Sequence, residues 1–222
     1  MARPMKHTQN IVCLISGRGS NLEALLRSAR TERWHEHGMQ VGCVISNEPA
    51  ARGLQVARDF GVPAEVLAHA QFASREAFDA ALAQAIDRHQ PALVVLAGFM
   101  RRLTAGFVER YPARLLNIHP SLLPAFAGLH THRRALEAGV RLHGATVHFV
   151  TEVLDGGPIL AQAAVPVQAD DTEDTLAARV LAQEHRLLPR CVRWCLEGRV
   201  SLEGGRVRVQ GVDAQELLAF AR

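Results

Sequence analysis

Apolar positions fall into short unbroken runs, separated by stretches in which they recur every three or four residues. The run "NIVCLIS", Asn10 to Ser16, has the pattern of a buried strand, and "GRGSN" leads from it into "SNLEALLRSAR", whose leucines and alanines keep helical spacing. The same alternation continues. A strand is expected near "QVGCVIS", a helix from about Ala50 to Phe60, a short strand near "AEVL" and a long helix from about Ser74 to His89. "PALVVLAG" is continuous enough for a strand covered on both faces, and the short helix "TAGFVERY" then leads to the strand "RLLNIHP". Strands and helices in this order predict an α/β fold with a doubly wound, mostly parallel, Rossmann-like sheet. Ligands of such a sheet collect at the carboxyl ends of its strands.

After the helix "HRRALEAG" the pattern changes. "GATVHFV" and "ILAQAAVPV" flank "TEVLDGGP", whose Gly156, Gly157 and Pro158 mark a tight reversal, so an antiparallel extension of the sheet is expected. A helix from about Thr172 to Glu197 contains Pro189, which predicts a kink or break. "RVSLEGGRVRV" has the form of a hairpin around Gly204 and Gly205. With no linker, low-complexity block or internal repeat, the expectation is one domain over residues 1–222, with 198–222 a peripheral hairpin and tail.

Composition narrows the class without naming a chemistry. Of the 222 residues 48% are apolar and 21% charged, as in a soluble globular enzyme, and the formal net charge of +3 does not nominate nucleic acid. Cys13, Cys43, Cys191 and Cys195 form no CxxC pair. Zinc would need another pair of ligands at recognisable spacing, so buried reduced thiols are expected. The opening "MARPMKHTQNIVCLIS" places positive charges before an apolar run too short for a signal-peptide core or a membrane span. A cytoplasmic protein without a membrane partner is the expectation, either monomer or homodimer.

Two stretches carry candidate chemistry. In "GRGSN", Gly17 and Gly19 let backbone approach an anion at a helix N-terminus, and Ser20 with Glu23 forms an S-x-x-E capping signature. Leu22 stands where a dinucleotide loop has its third glycine, and no Lys followed by Ser or Thr is present as in a Walker A loop. A single phosphate, as in a sugar monophosphate, fits what remains; a plain tight turn is the alternative. In "RLLNIHPSLLP", Asn117 and His119 project to one face of a strand, either as catalytic groups or as a hydrogen-bonded strand end. With Asp155 they supply what acyl transfer to an amine requires: an amide donor for the carbonyl oxygen, an imidazole to pass a proton to the leaving nitrogen, and a carboxylate that raises the imidazole pKa. Asp before Gly-Gly is also a common turn residue.

The segments "LISGRGSNL", "SREAFD", "VVLAGFMRRL", "LLNIHPSLLP", "HGATVHFVTEVLDGGPIL" and "QEH" give the chain a resemblance to the phosphoribosylglycinamide formyltransferases of purine synthesis, over roughly residues 10 to 200. The resemblance implies transfer of a formyl group from 10-formyltetrahydrofolate, as co-substrate and with no metal, to the amine of glycinamide ribonucleotide. Its implied partners are these small molecules alone. It assigns the reaction centre to Asn117, His119 as proton donor, and Asp155. Ribonucleotide contacts fall on Gly19, Ser20 and Asn21 and, on the late helix, Gln183 and Glu184. The folate cleft falls on Arg75, on Met100, Arg101, Arg102 and Leu103, on Asn117, and on Thr151, Glu152, Val153, Leu154 and Asp155.

The chain departs from the family's pattern at Ala125, Phe126 and Ala127, expected to lie clear of the reaction centre, and at Arg102, expected to face solvent. The H-x-H pairs His35/His37 and His130/His132 lack accompanying metal ligands and are expected in solvated or capping roles. Alternation in "VHFV" makes His148 sheet structure, with lining of the cleft as the alternative, and Arg133 and Arg134 are expected on an exposed helix face. A formyltetrahydrofolate hydrolase would share the three central residues but usually carries a preceding domain, and a methionyl-tRNA formyltransferase a following one. A non-catalytic phosphosugar-binding module would have no use for the Asn-His-Asp set.

Overall fold

The computed structural model describes residues 8–212 and 218–220. Its chain divides after Met100 into two compact units. The first is built from β1 (Gln9–Ile15), α1 (Ser20–Thr31), β2 (Met39–Ser46), α2 (Gly53–Asp59), β3 (Ala64–Val66), α3 (Arg75–Asp87) and β4 (Pro91–Leu96). Its strands lie in the order β4-β1-β2-β3, all parallel. Ile11 to Ile15 have no solvent exposure, which explains why this run lacks polar alternation. On α1, Leu22, Leu25 and Leu26 are buried while Glu23 and Arg27 pair on the outer face at 2.5 Å.

The second unit contains α4 (Ala105–Arg110), β5 (Leu115–His119), α5 (Thr131–Glu137), β6 (Leu142–Phe149), β7 (Ile159–Pro166), α6 (Glu173–Leu196), β8 (Val200–Glu203), β9 (Arg206–Val209) and β10 (Leu218–Phe220). Here β5 pairs antiparallel with β6 and β6 with β7, while β10 adds a parallel strand to β7. The α/β class, mostly parallel with an antiparallel extension, is therefore as expected. The β8/β9 hairpin turns at Gly204 and Gly205, also as expected. The sequence reading did not identify β10.

Two local expectations are corrected. Helix α6 continues past Pro189 without a break; the proline is buried, as are Leu187, Leu188, Cys191 and Val192. At the start of α1 the Ser20–Glu23 capping box does not form: the N-cap is Gly19, with no side-chain cap. Glu23 turns to Arg27 instead.

The start of α6 is tightly held. Thr172 and Thr175 exchange side-chain and backbone bonds at 3.2 and 2.9 Å. Just before them Asp171, its side chain 2% exposed, accepts two bonds from Arg179 at 2.7 and 2.8 Å and one from the Gln168 backbone. The Arg179 guanidinium in particular holds this carboxyl well below the usual carboxylate range. Where β6 turns towards β7, Phe149 N–H bonds Pro158 O at 2.9 Å, and a Cβ on Gly157 would run into the Phe149 carbonyl.

Gly157→Ala is expected to lower stability by roughly 1–3 kcal/mol, because the obstructing atom is backbone; unchanged urea denaturation would contradict this packing. Because the Asp171 carboxyl is depressed, its contribution is complete above the unfolded-state value of about 3.9 and is lost as pH falls through the lower folded-state value. The stability gap between the parent and Asp171→Asn should therefore be full at pH 7 and narrow in acid. A gap constant down to strongly acidic pH would show that the charge contributes nothing.

Candidate active site

The register of β5 against β6 builds the centre of the second unit. Asn117 lies opposite His148, and His119 opposite Thr146. The Thr146 hydroxyl donates to Ser121 O at 2.7 Å and accepts from Leu123 N at 3.1 Å and from Gln162 Nε2 at 2.9 Å. One donor and two acceptor positions are thereby used in full. Gln162 also donates to Leu123 O at 2.9 Å. The segment after His119 is thus stitched to β6 and β7, which fixes where β5 ends and where its imidazole stands.

Asp155 reaches that imidazole from the β6–β7 loop. Its Oδ2 lies 3.4 Å from His119 Nδ1 and accepts from Gly128 N–H at 2.8 Å, while Oδ1 lies 3.8 Å from His148 Nε2. Its backbone is left-handed at φ 51°, and the His119 and Asp155 side chains are each 8% exposed. The three groups expected to carry chemistry therefore converge within this unit. Asp155 is more than a turn residue.

Three contributors were not assigned to the centre from sequence. His148, 2% exposed, places Nδ1 3.0 Å from Phe149 O and Nε2 3.2 Å from Asn117 Nδ2. Burial pushes its pKa down, against smaller opposing effects of the Phe149 carbonyl and Asp155. A neutral ring with its proton on Nδ1 satisfies both contacts and turns the Asn117 amide nitrogen inward. His148 is thus sheet structure and also the orienting neighbour of Asn117. Phe126 brings its carbonyl within 3.1 Å of His119 Nε2, which corrects the expectation that the departure at 125–127 lies clear of the centre. The contact is made by backbone, so the change of side chain does not remove it. Finally, His132 is half-buried and meets the His143 ring edge to face at 5.3 Å, so it has no solvated or capping role. Burial pushes His143 down to about 4, with His132 and His119 adding to the effect.

The glycine loop belongs to the first unit. Gly19 is left-handed at φ 79°, and a Cβ there would lie 2.5 Å from the Cα of Gly53 at the start of α2. Gly53 N–H bonds Gly17 O at 3.0 Å, and a Cβ on Gly53 would lie 2.5 Å from Ile15 Cδ1. Two glycines far apart in sequence thus permit one backbone crossing that shapes the loop. Ser16 links the loop to the expected folate segment: its hydroxyl accepts from Met100 N–H at 2.7 Å and donates to Asn47 Oδ1 at 2.5 Å.

The remaining expected site residues take varied positions. Ser20 is half-buried and Asn21 buried on the first turn of α1, and Gln183 and Glu184 are each 6% exposed on α6. Arg75 opens α3, half-exposed beside Glu76 at 3.8 Å. Met100 is 69% exposed, Arg101 and Leu103 are half-buried, and Arg102 faces solvent as expected. In the loop before Asp155, Thr151 is half-buried while Glu152, Val153 and Leu154 are exposed. His35, His37 and His130 are exposed, in line with their dull readings. Arg133 is exposed as well, and Arg134 stacks over Phe126 while donating to Ala127 O at 2.6 Å.

Comparison with known proteins gives the family. Residues 9–192 match the model of the formyl transferase family. The phosphoribosylglycinamide formyltransferase of Escherichia coli is 49% identical over 93% of this chain and 100% of its own length. The trifunctional purine biosynthetic protein adenosine-3 of Drosophila melanogaster is 47% identical over 86% of this chain, which spans 14% of that protein. Among solved structures, glycinamide ribonucleotide transformylase 1 from Symbiobacterium toebii aligns with a TM-score of 0.88 at 48% identity, covering 92% of this chain and 95% of that one. The chain belongs to the formyl transferase family.

Proposed function

We propose that this protein transfers the formyl group of 10-formyltetrahydrofolate to the amine of N1-(5-phospho-D-ribosyl)glycinamide, a step of de novo purine synthesis. The observation that carries the reading is the convergence of the Asn117 amide, the His119 imidazole and the Asp155 carboxylate at the end of β5. The formylated folate supplies a carbonyl carbon and a nitrogen leaving group. One Asn117 N–H is directed to His148, which leaves the other for the formyl oxygen as negative charge gathers there. His119 donates a proton to the departing nitrogen, and the incoming amine releases its own proton to solvent, so charge and atoms balance. Asp155 positions the ring through Nδ1, and the Nε2 proton, which rests on the Phe126 carbonyl at 3.1 Å, is the one passed to the departing nitrogen.

Other residues take supporting roles in this reading. The N–H groups of Gly19, Ser20 and Asn21, at the positive end of α1, bind the ribose phosphate. Gln183 and Glu184 offer buried polar groups to the ribonucleotide, and among the described residues Gln183 Oε1 has no hydrogen-bond partner. The folate is held by Arg75, by Met100, Arg101, Arg102 and Leu103, and by the loop Thr151 to Asp155, where Val153 and Leu154 are 67% and 52% exposed and offer apolar surface to a flat ring. The whole of 1–222 acts as one catalytic domain, with 198–222 peripheral.

Tetrahydrofolate formation from 10-formyltetrahydrofolate should depend on glycinamide ribonucleotide. Equal rates with and without it would instead mark a hydrolase, and no turnover a binding module. Asn117→Ala and His119→Ala should each lose about a hundredfold or more in kcat while ribonucleotide binding by calorimetry stays near the parent value. Near-normal turnover in both would refute their assignment.

A further inference from the structure

A second group of reactive side chains lies in the first unit, outside the chemistry described above. Cys43 on β2, Glu65 on β3 and His89 in the turn between α3 and β4 bring a thiol, a carboxylate and an imidazole within 4.8 Å of one another. Cys43 Sγ lies 3.8 Å from Glu65 Oε1, and His89 Nε2 lies 2.8 Å from the same oxygen. The surroundings orient these groups. Arg88 holds the other carboxylate oxygen at 2.6 Å and so turns Oε1 towards the thiol, while Asn10 Nδ2 bonds the His89 carbonyl at 3.0 Å and ties the turn to β1. Cys43 is buried, but the Glu65 and His89 side chains are 35% and 23% exposed, which leaves one side open to solvent.

We propose that Cys43, Glu65 and His89 form a three-ligand site for Zn2+, with water as the fourth ligand. The sulfur and nitrogen donors select a borderline-soft ion over Mg2+ or Ca2+, which take oxygen ligands. Zinc bonds of about 2.0–2.3 Å at tetrahedral angles separate ligand atoms by roughly 3.3–3.6 Å, so ligand atoms that all lie within 4.8 Å of one another close by at most about 1.3 Å to seat the ion. On binding, the Cys43 thiol releases its proton to solvent, and the ion replaces the direct His89–Glu65 contact. The Arg88 guanidinium opposes a cation, and the thiolate and carboxylate offset it with two negative charges. Bound metal would join β2, the three-residue strand β3 and the turn before β4, a structural role separate from formyl transfer.

The full chain, stripped of metal and reduced without thiols, should develop a thiolate-to-cobalt charge-transfer band on titration with Co2+. The band should saturate at one ion per chain and vanish when Zn2+ is added, and Zn2+ alone should raise Tm. Cys43→Ala should lose both the band and the Tm rise, and His89→Gln should weaken Co2+ binding by roughly tenfold or more, with circular dichroism confirming the fold. Should Cys43→Ala fail to fold, His89→Gln and Glu65→Gln decide the matter. Absence of the band in the parent, its persistence in Cys43→Ala, or unchanged affinity in the folded His89 and Glu65 variants would overturn the site.

Discussion

The antiparallel pairing of β5 with β6 is the constraint on which the centre depends. It sets Asn117 against His148 and His119 against Thr146, so one ladder of backbone bonds fixes the amide, its orienting imidazole, the His119 ring and the hydroxyl that secures the following turn. A shift of one residue would send Asn117 and His119 to the opposite face and put Ile118 in their place. The antiparallel extension, peripheral in a purely topological view, therefore supplies half of the polar framework.

Electrostatics follow from that packing. His132, His143 and His148 surround the centre, and burial lowers the pKa of each, His143 to about 4. Near neutral pH these rings act as uncharged hydrogen-bonding or stacking groups. The Asp155 carboxylate accordingly faces an uncharged ring in His148, which lies 3.8 Å from it. Asp155 keeps its position through the Gly128 N–H bond and through a loop whose return past Phe149 requires Gly157.

Much of the fold was legible because local signals agreed with tertiary ones: unbroken apolar runs became strands, and leucines at helical spacing became the buried faces of helices. The failures have specific causes. Pro189 lacks the N–H of a helical residue, yet the helix continues past it among buried neighbours. Ser20 and Glu23 matched a capping pattern, but the left-handed Gly19 took the cap position and Arg27 took the carboxylate. Residue type made Asn117, His119 and Asp155 candidates beside structural readings, and the family resemblance assigned them as a set. His148 could be placed with it only once strand register was known, and the Phe126 contact comes from a carbonyl that residue identity does not reveal. The Cys43 group was hidden because its members come from two strands and a turn spread over forty-six positions, with no short motif among them.

The crossing of Gly19 and Gly53 has a consequence for how the molecule can vary. Each glycine removes the room that the other would need for a side chain, and Ile15 blocks the second from another direction. Neither position can be relieved by altering its partner, since both already carry the smallest residue. Two sites thirty-four residues apart are thereby coupled through one backbone crossing, whereas at Gly17 in the same loop an added Cβ would meet nothing within 4 Å.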